Sequence, residues 1–176
     1  MNRRNSLGLF IVTAFGLALL PGSVVAQQKS LKEQLVGTWT VVTWDQVTKD
    51  GNKFQRFGAN PRGVNVFDAN GRFYVMFARP DLPNIAANDP MKSTPEENKA
   101  VMEGSIAYFG TYTVDETSKS ANLRVEASTF PNQLEREQKR TIVSITANEL
   151  KLTNPSAVTG GLITYVMKRA TTVASK

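Results

Sequence analysis

The residues that could do chemistry in this chain are carboxylates, arginines, lysines, tyrosines and hydroxyls, because it contains no histidine and no cysteine. Ser-His-Asp and Cys-His triads are therefore excluded, as are zinc sites built from nitrogen and sulfur ligands. The usual proton carrier near neutral pH is also missing. Catalysis would have to rely on Glu, Tyr, Lys, Ser or a cofactor, so binding is the stronger expectation.

Charged residues alternate with apolar ones between Ala121 and Thr129, where Arg124 and Glu126 share one face. Arg140 lies on the next segment of this kind. If all three faced a protein interior, they would form a network able to orient a carboxylate, enol or carbonyl, because buried charges must be paired. If they faced outward, they would be a solvated ladder, which strand alternation favours.

Tyrosines mark two further segments. Tyr108 and Tyr112 share one face, with Gly110 between them making room, and they could line a pocket or lie outside. Tyr74 and Met76 alternate with phenylalanine and valine, and either set could face inward. The candidate ligand contacts are Arg62, Tyr74, Met76, Tyr108, Tyr112, Arg124, Glu126 and Arg140.

Two short motifs resemble metal-binding or phosphate-binding loops, but neither is complete. Asp68 to Gly71 resembles the start of a calcium loop, but no Glu occupies the position that would close it. Gly160-Gly161 lacks a phosphate-binding context. We expect no metal and no cofactor.

The elements that must position these residues are strands almost throughout. Short runs rich in Val, Ile, Thr, Tyr and Phe alternate with turn residues, and Asn70-Gly71 predicts a hairpin with a two-residue or a three-residue loop. Eight or nine antiparallel strands in one domain predict an all-β, up-and-down barrel, since closure removes exposed edges. The predicted strands are 37–46, 54–57, 63–69, 72–78, 106–114, 121–129, 137–145, 149–153 and 162–169.

One segment, Arg79 to Gly104, interrupts the strands. It begins with a proline-rich loop and ends in a short helix, because Thr94-Pro95-Glu96-Glu97 has the capping-box pattern and Gly104 is a suitable stop. A helix of this length needs a surface to lie on. The segment could be a mobile lid on a barrel end or a fixed plug.

Residues 1–26 are predicted to be a cleaved secretory signal. Arg3 and Arg4 precede an apolar run, Leu7 to Leu20, and small residues end at Ala26. The run is too short to span a membrane, so no integral membrane segment is expected after cleavage. Residues 27–176 would form one monomeric domain in the periplasm or outside the cell.

The charge of this domain is modest. Without Arg3 and Arg4 the 21 basic residues fall to 19, against 15 acidic ones. They are spread along the chain, whereas nucleic-acid binding usually concentrates them in a stripe with aromatic residues. We expect no nucleic-acid partner, and the sequence identifies no protein partner.

A family resemblance rests on motifs in order along the chain. Gly37-Thr38-Trp39 and the final Lys168-Arg169 resemble the Gly-x-Trp and terminal Arg of lipocalin and calycin barrels, in which Arg covers Trp and closes one end. Over nearly the whole mature chain the sequence resembles the bacterial and fungal lipocalin-like domain proteins. Relatives often carry His where this chain has Leu123-Arg124, and Trp where it has Gln133. The motifs that carry the wider resemblance are Phe57-Gly58, Asn60-Pro61-Arg62-Gly63, Asn70-Gly71-Arg72, Thr94 to Glu97, Glu103-Gly104, Tyr108 to Tyr112, Val125-Glu126, Phe130-Pro131-Asn132 and Glu137 to Arg140.

The resemblance implies a barrel that binds a small ligand, and it implies no activity. We therefore expect a mostly apolar or amphipathic molecule, with an acidic or carbonyl group met by Arg62, Arg124 or Arg140. One alternative is a cofactor-free isomerase or cyclase using Glu126 and Tyr108. Another is a structural or interaction module with a filled core.

Overall fold

The computed structural model describes residues 29–134, 136–155 and 160–171. The predicted signal, 1–26, lies outside the described residues. Within them the chain forms two helices, nine strands and two short 3-10 turns. The elements are α1 (Leu31–Leu35), β1 (Gly37–Val47), β2 (Lys53–Phe54), β3 (Arg62–Phe67), β4 (Arg72–Ala78), a 3-10 turn (Pro90–Lys92), α2 (Pro95–Gly104), β5 (Ser105–Asp115), β6 (Ser120–Ser128), a 3-10 turn (Pro131–Gln133), β7 (Glu137–Ile145), β8 (Glu149–Pro155) and β9 (Leu162–Arg169).

The strands form one antiparallel sheet in the order β2-β1-β3-β4-β5-β6-β7-β8-β9, and pairing of β1 with β9 closes it into a barrel. The two-residue strand β2 pairs only with β1, beyond the closed ring. The architecture is therefore an eight-stranded up-and-down barrel with one extra strand and one longer helix between β4 and β5. The predicted fold class is confirmed.

One end of the barrel is closed by α1, which is fixed by a capping box between Ser30 and Glu33. The Trp39 indole donates to the Leu35 carbonyl across 2.8 Å. The Arg169 guanidinium carbon lies 4.1 Å from the centroid of the Trp39 ring. First strand, last strand and α1 thus meet at what we call the closed end.

The opposite end, here the open end, carries the longer connections: 48–61, 79–104 and 129–136. Helix α2 begins with the predicted capping box, in which Thr94 and Glu97 satisfy each other's main-chain amides. The carbonyl of its last residue, Gly104, accepts from the Arg79 amide at 2.8 Å. Both ends of the inserted segment are therefore held against the barrel.

Hairpin geometry between β3 and β4 resolves the loop length. The Asp68 amide donates to the Arg72 carbonyl at 2.8 Å, leaving a three-residue loop, Ala69 to Gly71. Gly71 has φ of +85°, a conformation that glycine adopts without steric cost. Of the two predicted loops, the three-residue one is present.

The interior is filled by alternate side chains of all eight barrel strands, and Trp44 is among them at 6% exposure. Strict alternation along β1 predicts that Trp44, five residues after Trp39, lies on the opposite face, and this prediction is wrong. The register between β1 and β9 shifts between Val41 and Thr43, which inserts one residue and turns both tryptophans inward.

Candidate functional site

Three polar side chains of the barrel interior form one contact group around Arg140. Arg140 is three residues inside the open end of β7, Tyr108 three residues inside that of β5, and Tyr165 three residues inside that of β9. Pairing of the strands in the barrel brings together residues that are far apart in sequence.

Arg140 is the centre of this group and is only 4% exposed. Its Nη2 donates to the Tyr108 hydroxyl at 3.1 Å and to the Gln138 Oε1 at 2.6 Å. Its guanidinium carbon lies 5.6 Å from the centroid of the Tyr165 ring. These partners orient the guanidinium, but each of them is electrically neutral.

Nothing acidic accompanies Arg140 in the interior that the structure describes. The buried polar residues there are Gln46, Asn65, Ser120, Arg140 and Asn154, without an Asp or a Glu. None of the ion pairs among the described residues involves Arg140. The guanidinium is thus a buried positive charge without a described carboxylate, which is a costly arrangement for a protein.

Tyr165 does not neutralise this charge near neutral pH. Burial raises the pKa of Tyr165 to about 12, against an opposing effect of Arg140. Burial also acts to lower the pKa of Arg140, but Tyr165 and Tyr108 outweigh it and the pKa lies above its ordinary value. Arg140 therefore stays cationic beside a neutral phenol.

Two buried amides add unsatisfied acceptors to the interior. The Oδ1 atoms of Asn65 and Asn154 have no hydrogen-bond partner among the described residues. Both side chains are at most 6% exposed. Buried acceptors without a donor are rare in folded proteins and indicate a place where water or a ligand group can donate.

Four aromatic rings, Trp44, Phe57, Phe77 and Tyr165, pack together in the half of the barrel near the open end. We call them the aromatic cluster. The Trp44 ring centroid is 5.1 Å from that of Phe57 and 6.2 Å from that of Tyr165. Phe77 lies 5.9 Å from both Phe57 and Tyr165. A mostly apolar surface thus adjoins the guanidinium, which lies beside the Tyr165 ring.

Phe57 differs from the other members because it lies on a loop, between β2 and β3. Its neighbour Arg56 donates to the carbonyls of Met102, Glu103 and Ser105 at distances of 2.8 to 3.2 Å. Burial of this guanidinium lowers its pKa, while Glu103 acts in the opposite direction. The loop that carries Phe57 is therefore fastened to the end of α2.

Five of the predicted ligand contacts do not line the interior. Tyr74 and Met76 are 45% and 43% exposed on the outer wall, because Phe73, Val75 and Phe77 fill the inner face of β4. Arg62 and Arg124 are also exposed. The outer residues are Arg62, Tyr74, Met76, Arg124 and Glu126.

The charge network predicted between Arg124, Glu126 and Arg140 is consequently not formed. Glu126 instead pairs with Arg72 on the outer wall, with 2.9 Å between Oε1 and Nη1. Strand alternation places Arg140 inside and the other two outside. The isomerase or cyclase alternative thereby loses the internal carboxylate that it requires.

Tyr112 faces inward, as the pocket interpretation of this strand predicted. It lies near the closed end, however, and away from Arg140. Its hydroxyl donates to the Asp68 carbonyl at 2.8 Å. Burial, followed by Asp68, raises its pKa. Gly110 has a different role from making room between tyrosines, since a Cβ there would lie 1.9 Å from the Arg124 carbonyl oxygen. It permits a close approach of β5 and β6.

Sequence reasoning missed several inner residues. Gln138 was available as the residue that shares a strand face with Arg140, and Tyr165 as the single tyrosine of the last strand. Alternation alone places Trp44 on the outer face, and the bulge between Val41 and Thr43 turns it inward. Phe57 belongs to a run predicted as a strand, whereas the structure ends that strand at Phe54.

Outside the barrel, two open clefts of about 520 and 640 Å³ flank α1 at the closed end. Neither is lined by Arg140 or the aromatic cluster. Among the described residues no group of His, Cys, Asp and Glu could hold a metal ion. In the same part of the chain, no helix combines the length and apolar character needed to cross a membrane.

Comparison with known proteins gives the family. No curated protein matches the sequence. Among solved structures, a lipocalin-like protein from Bacteroides uniformis has 11% identity and a TM-score of 0.43, covering 78% of this chain and 99% of that one. A redesigned β-barrel has 15% identity and a TM-score of 0.42, covering 81% and 100%. The family model for the lipocalin-like domain matches residues 36–173, and the chain therefore belongs to the lipocalin-like domain family.

Proposed function

We propose that this protein is an exported binding barrel that holds a small, mostly apolar molecule in its interior, with a polar group of that molecule at Arg140. The single observation that carries the proposal is the buried Arg140 guanidinium, held by neutral partners beneath an aromatic cluster. An apolar enclosure with a few convergent polar groups is the usual composition of a small-molecule site.

The inner surface divides into two parts with different chemistry. Around Arg140 lie Tyr108, Gln138 and Tyr165, which supply donors and acceptors. Towards the open end lie apolar and aromatic side chains, including Ile106 and Phe77. A ligand with one polar end and an apolar body matches this division.

Access to the interior runs through the open end in this proposal. Phe57 is 1% exposed and fills space beside Trp44, but it belongs to a loop. Its displacement would break no strand pairing, whereas displacement of Phe77 would disturb β4. The ligand would therefore take the place of the Phe57 ring as the loop moves outward.

Export is part of the proposal and rests on residues 1–26. The basic start, the apolar run and the small residues before Gln27 have the composition of a secretory signal. A mature amino terminus at Gln27, found by mass spectrometry of the periplasmic or culture-medium fraction, is the expected result. Full-length protein retained in the cytoplasm would contradict it.

Native mass spectrometry of the protein purified from its own periplasm or medium tests the binding function. We expect a bound molecule of a few hundred daltons that is released by denaturation. The recombinant protein, exposed to an extract of small molecules, should recover the same mass. If the protein is repeatedly ligand-free and instead associates through the exposed outer-wall residues Tyr74, Met76 and Phe109, the interaction-module alternative is supported.

A further inference from the structure

We propose that the polar group of the ligand is a carboxylate carrying a single negative charge, and that it binds the Arg140 guanidinium inside the barrel. This inference rests on the proposed function, and it adds the chemical class of the ligand and its orientation. The inference begins from the positive charge of Arg140, which no buried carboxylate of the described chain compensates.

The sign of the ligand's charge follows from the inner residues. Arg140 remains cationic, and no Asp or Glu is among the buried residues of the described chain. The hydrogen bonds to Tyr108 and Gln138 satisfy donors without cancelling the charge. An alcohol, an aldehyde or a ketone would leave the guanidinium equally uncompensated, whereas an anion would remove the cost of its burial.

The magnitude of the ligand's charge follows from the number of cationic side chains buried in the barrel. Arg140 is the single Arg or Lys among the buried residues of the described chain. A phosphate monoester, with a charge near −2 at neutral pH, would bring an excess of negative charge into the same space. One guanidinium matches one carboxylate in charge, and Nε and Nη1 carry the donors for it, because both hydrogens of Nη2 go to Tyr108 and Gln138.

The orientation follows from the placement of the aromatic cluster. Phe77 lies one residue inside the open end of β4 and Phe57 lies on a loop at that end, whereas Arg140 and Tyr165 each lie three residues inside their strands. The closed end is filled by Trp39 and its neighbours. The carboxylate would therefore enter first, and the apolar body would lie between Trp44 and Phe77, in the place of the Phe57 ring. Tyr108 and Gln138 act as positioning residues, because they hold Nη2 of Arg140.

Titration calorimetry with two matched series of probes tests the inference. The first series is the straight-chain carboxylates of about six to fourteen carbons, and the second is the primary alcohols of the same lengths, spanning the apolar lengths that a small barrel accommodates. The measured quantity is the ratio of the dissociation constants of alcohol and carboxylate at equal length. We expect the carboxylate to bind at least about tenfold more tightly to the native protein.

Variants of two arginines supply the controls. Arg140→Met should lower the ratio to about one, and Arg140→Lys, which keeps the charge without the fork, should retain an intermediate ratio. Arg124→Gln, on the outer wall of the neighbouring strand, should leave the ratio unchanged. Tyr108→Phe should lower carboxylate affinity while the alcohols bind as before, which separates loss of positioning from loss of fold.

The outcomes separate the two proposals. If neither series binds the native protein, the proposed function fails together with this inference. If both series bind with equal affinity, or if Arg140→Met and Arg140→Lys leave the preference for carboxylates intact, the inference is overturned and the binding function stands. Preference for carboxylates that depends on Arg140 and not on Arg124 is the expected result.

Discussion

Arg169 lies over Trp39, with 4.1 Å between the guanidinium carbon and the ring centroid. Its Nε, Nη1 and Nη2 donate to the carbonyls of Ala147, Val36 and Gln34 at 2.6, 2.9 and 2.7 Å. One side chain of the last strand thus joins the first strand, α1 and the loop between β7 and β8. This relationship closes one end of the barrel, and in our proposal the ligand enters at the other end.

Replacement of Arg169 by alanine should destabilise the protein strongly. Three carbonyls lose their donor and the indole loses its cation, so we expect a decrease of about 2 to 4 kcal/mol in the free energy of unfolding. Urea denaturation measures this. Lys168→Ala, at the exposed neighbouring position, is the control and should change stability little. Equal effects of the two variants would contradict the role of Arg169.

Stability should fall steeply in alkaline solution because of Tyr165. Its pKa is raised from 10.0 to about 12 in the folded protein. Between these values the unfolded chain has lost the proton that the folded chain retains, so the free energy of unfolding falls by about 1.4 kcal/mol per pH unit. Below the unfolded pKa this contribution is fully present.

Tyr165→Phe removes that contribution and provides the comparison. Chemical denaturation between pH 9 and pH 11.5 should give a shallower decline for the variant than for the native protein. The two proteins share every other ionisable group, so the difference in slope isolates Tyr165. If the free energy of unfolding falls equally with pH in the native protein and the variant, the Tyr165 hydroxyl is not held in the neutral form.

Loosening the loop that carries Phe57 should accelerate binding. Arg56→Gln removes the bonds to the carbonyls of Met102, Glu103 and Ser105. Association and dissociation of a carboxylate probe should both become faster, by about threefold or more, since the loop opens more readily. Stopped-flow tryptophan fluorescence follows both rates. Arg62→Gln, an exposed arginine at the same end, should leave them unchanged.

Removal of the Glu126 carboxylate should leave binding unaltered. The residue pairs with Arg72 on the outer wall, where an exposed ion pair contributes little. Calorimetry of Glu126→Gln with the same carboxylate probes should give the native dissociation constants. A large loss of affinity in this variant would contradict the expectation. Loss of an enzymatic turnover would support Glu126 as a catalytic acid or base.

The barrel itself could be predicted from local signals. Alternation of apolar residues predicted the strands, the capping box at Thr94 predicted α2, and Asn70-Gly71 predicted a hairpin. The fold class depends mainly on these repeated patterns. The family resemblance depends on short motifs such as Gly37-Thr38-Trp39, in which Trp39 lies under Arg169 and closes one end of the barrel.

The candidate site could be predicted only in part. Tyr108 and Arg140 were among the candidates, but β7 has polar residues on both faces near its start, so its alternation could not show that Arg140 faces inward. Register shifts at Val41 and at Gly110 depend on pairing between strands and leave no local mark. The contact of Arg140 with Tyr165 likewise arises only when the barrel closes.

Carbon-13 NMR of a bound probe determines whether a carboxylate binds the cation enclosed in the barrel. The tightest straight-chain carboxylate, labelled at its carboxyl carbon, would be titrated in complex with the native protein. We predict that its pKa falls at least about one unit below its value in free solution, because Arg140 stabilises the charged form. A bound carboxyl group whose pKa is unchanged or raised, as expected in an apolar site without a cation, would contradict this binding.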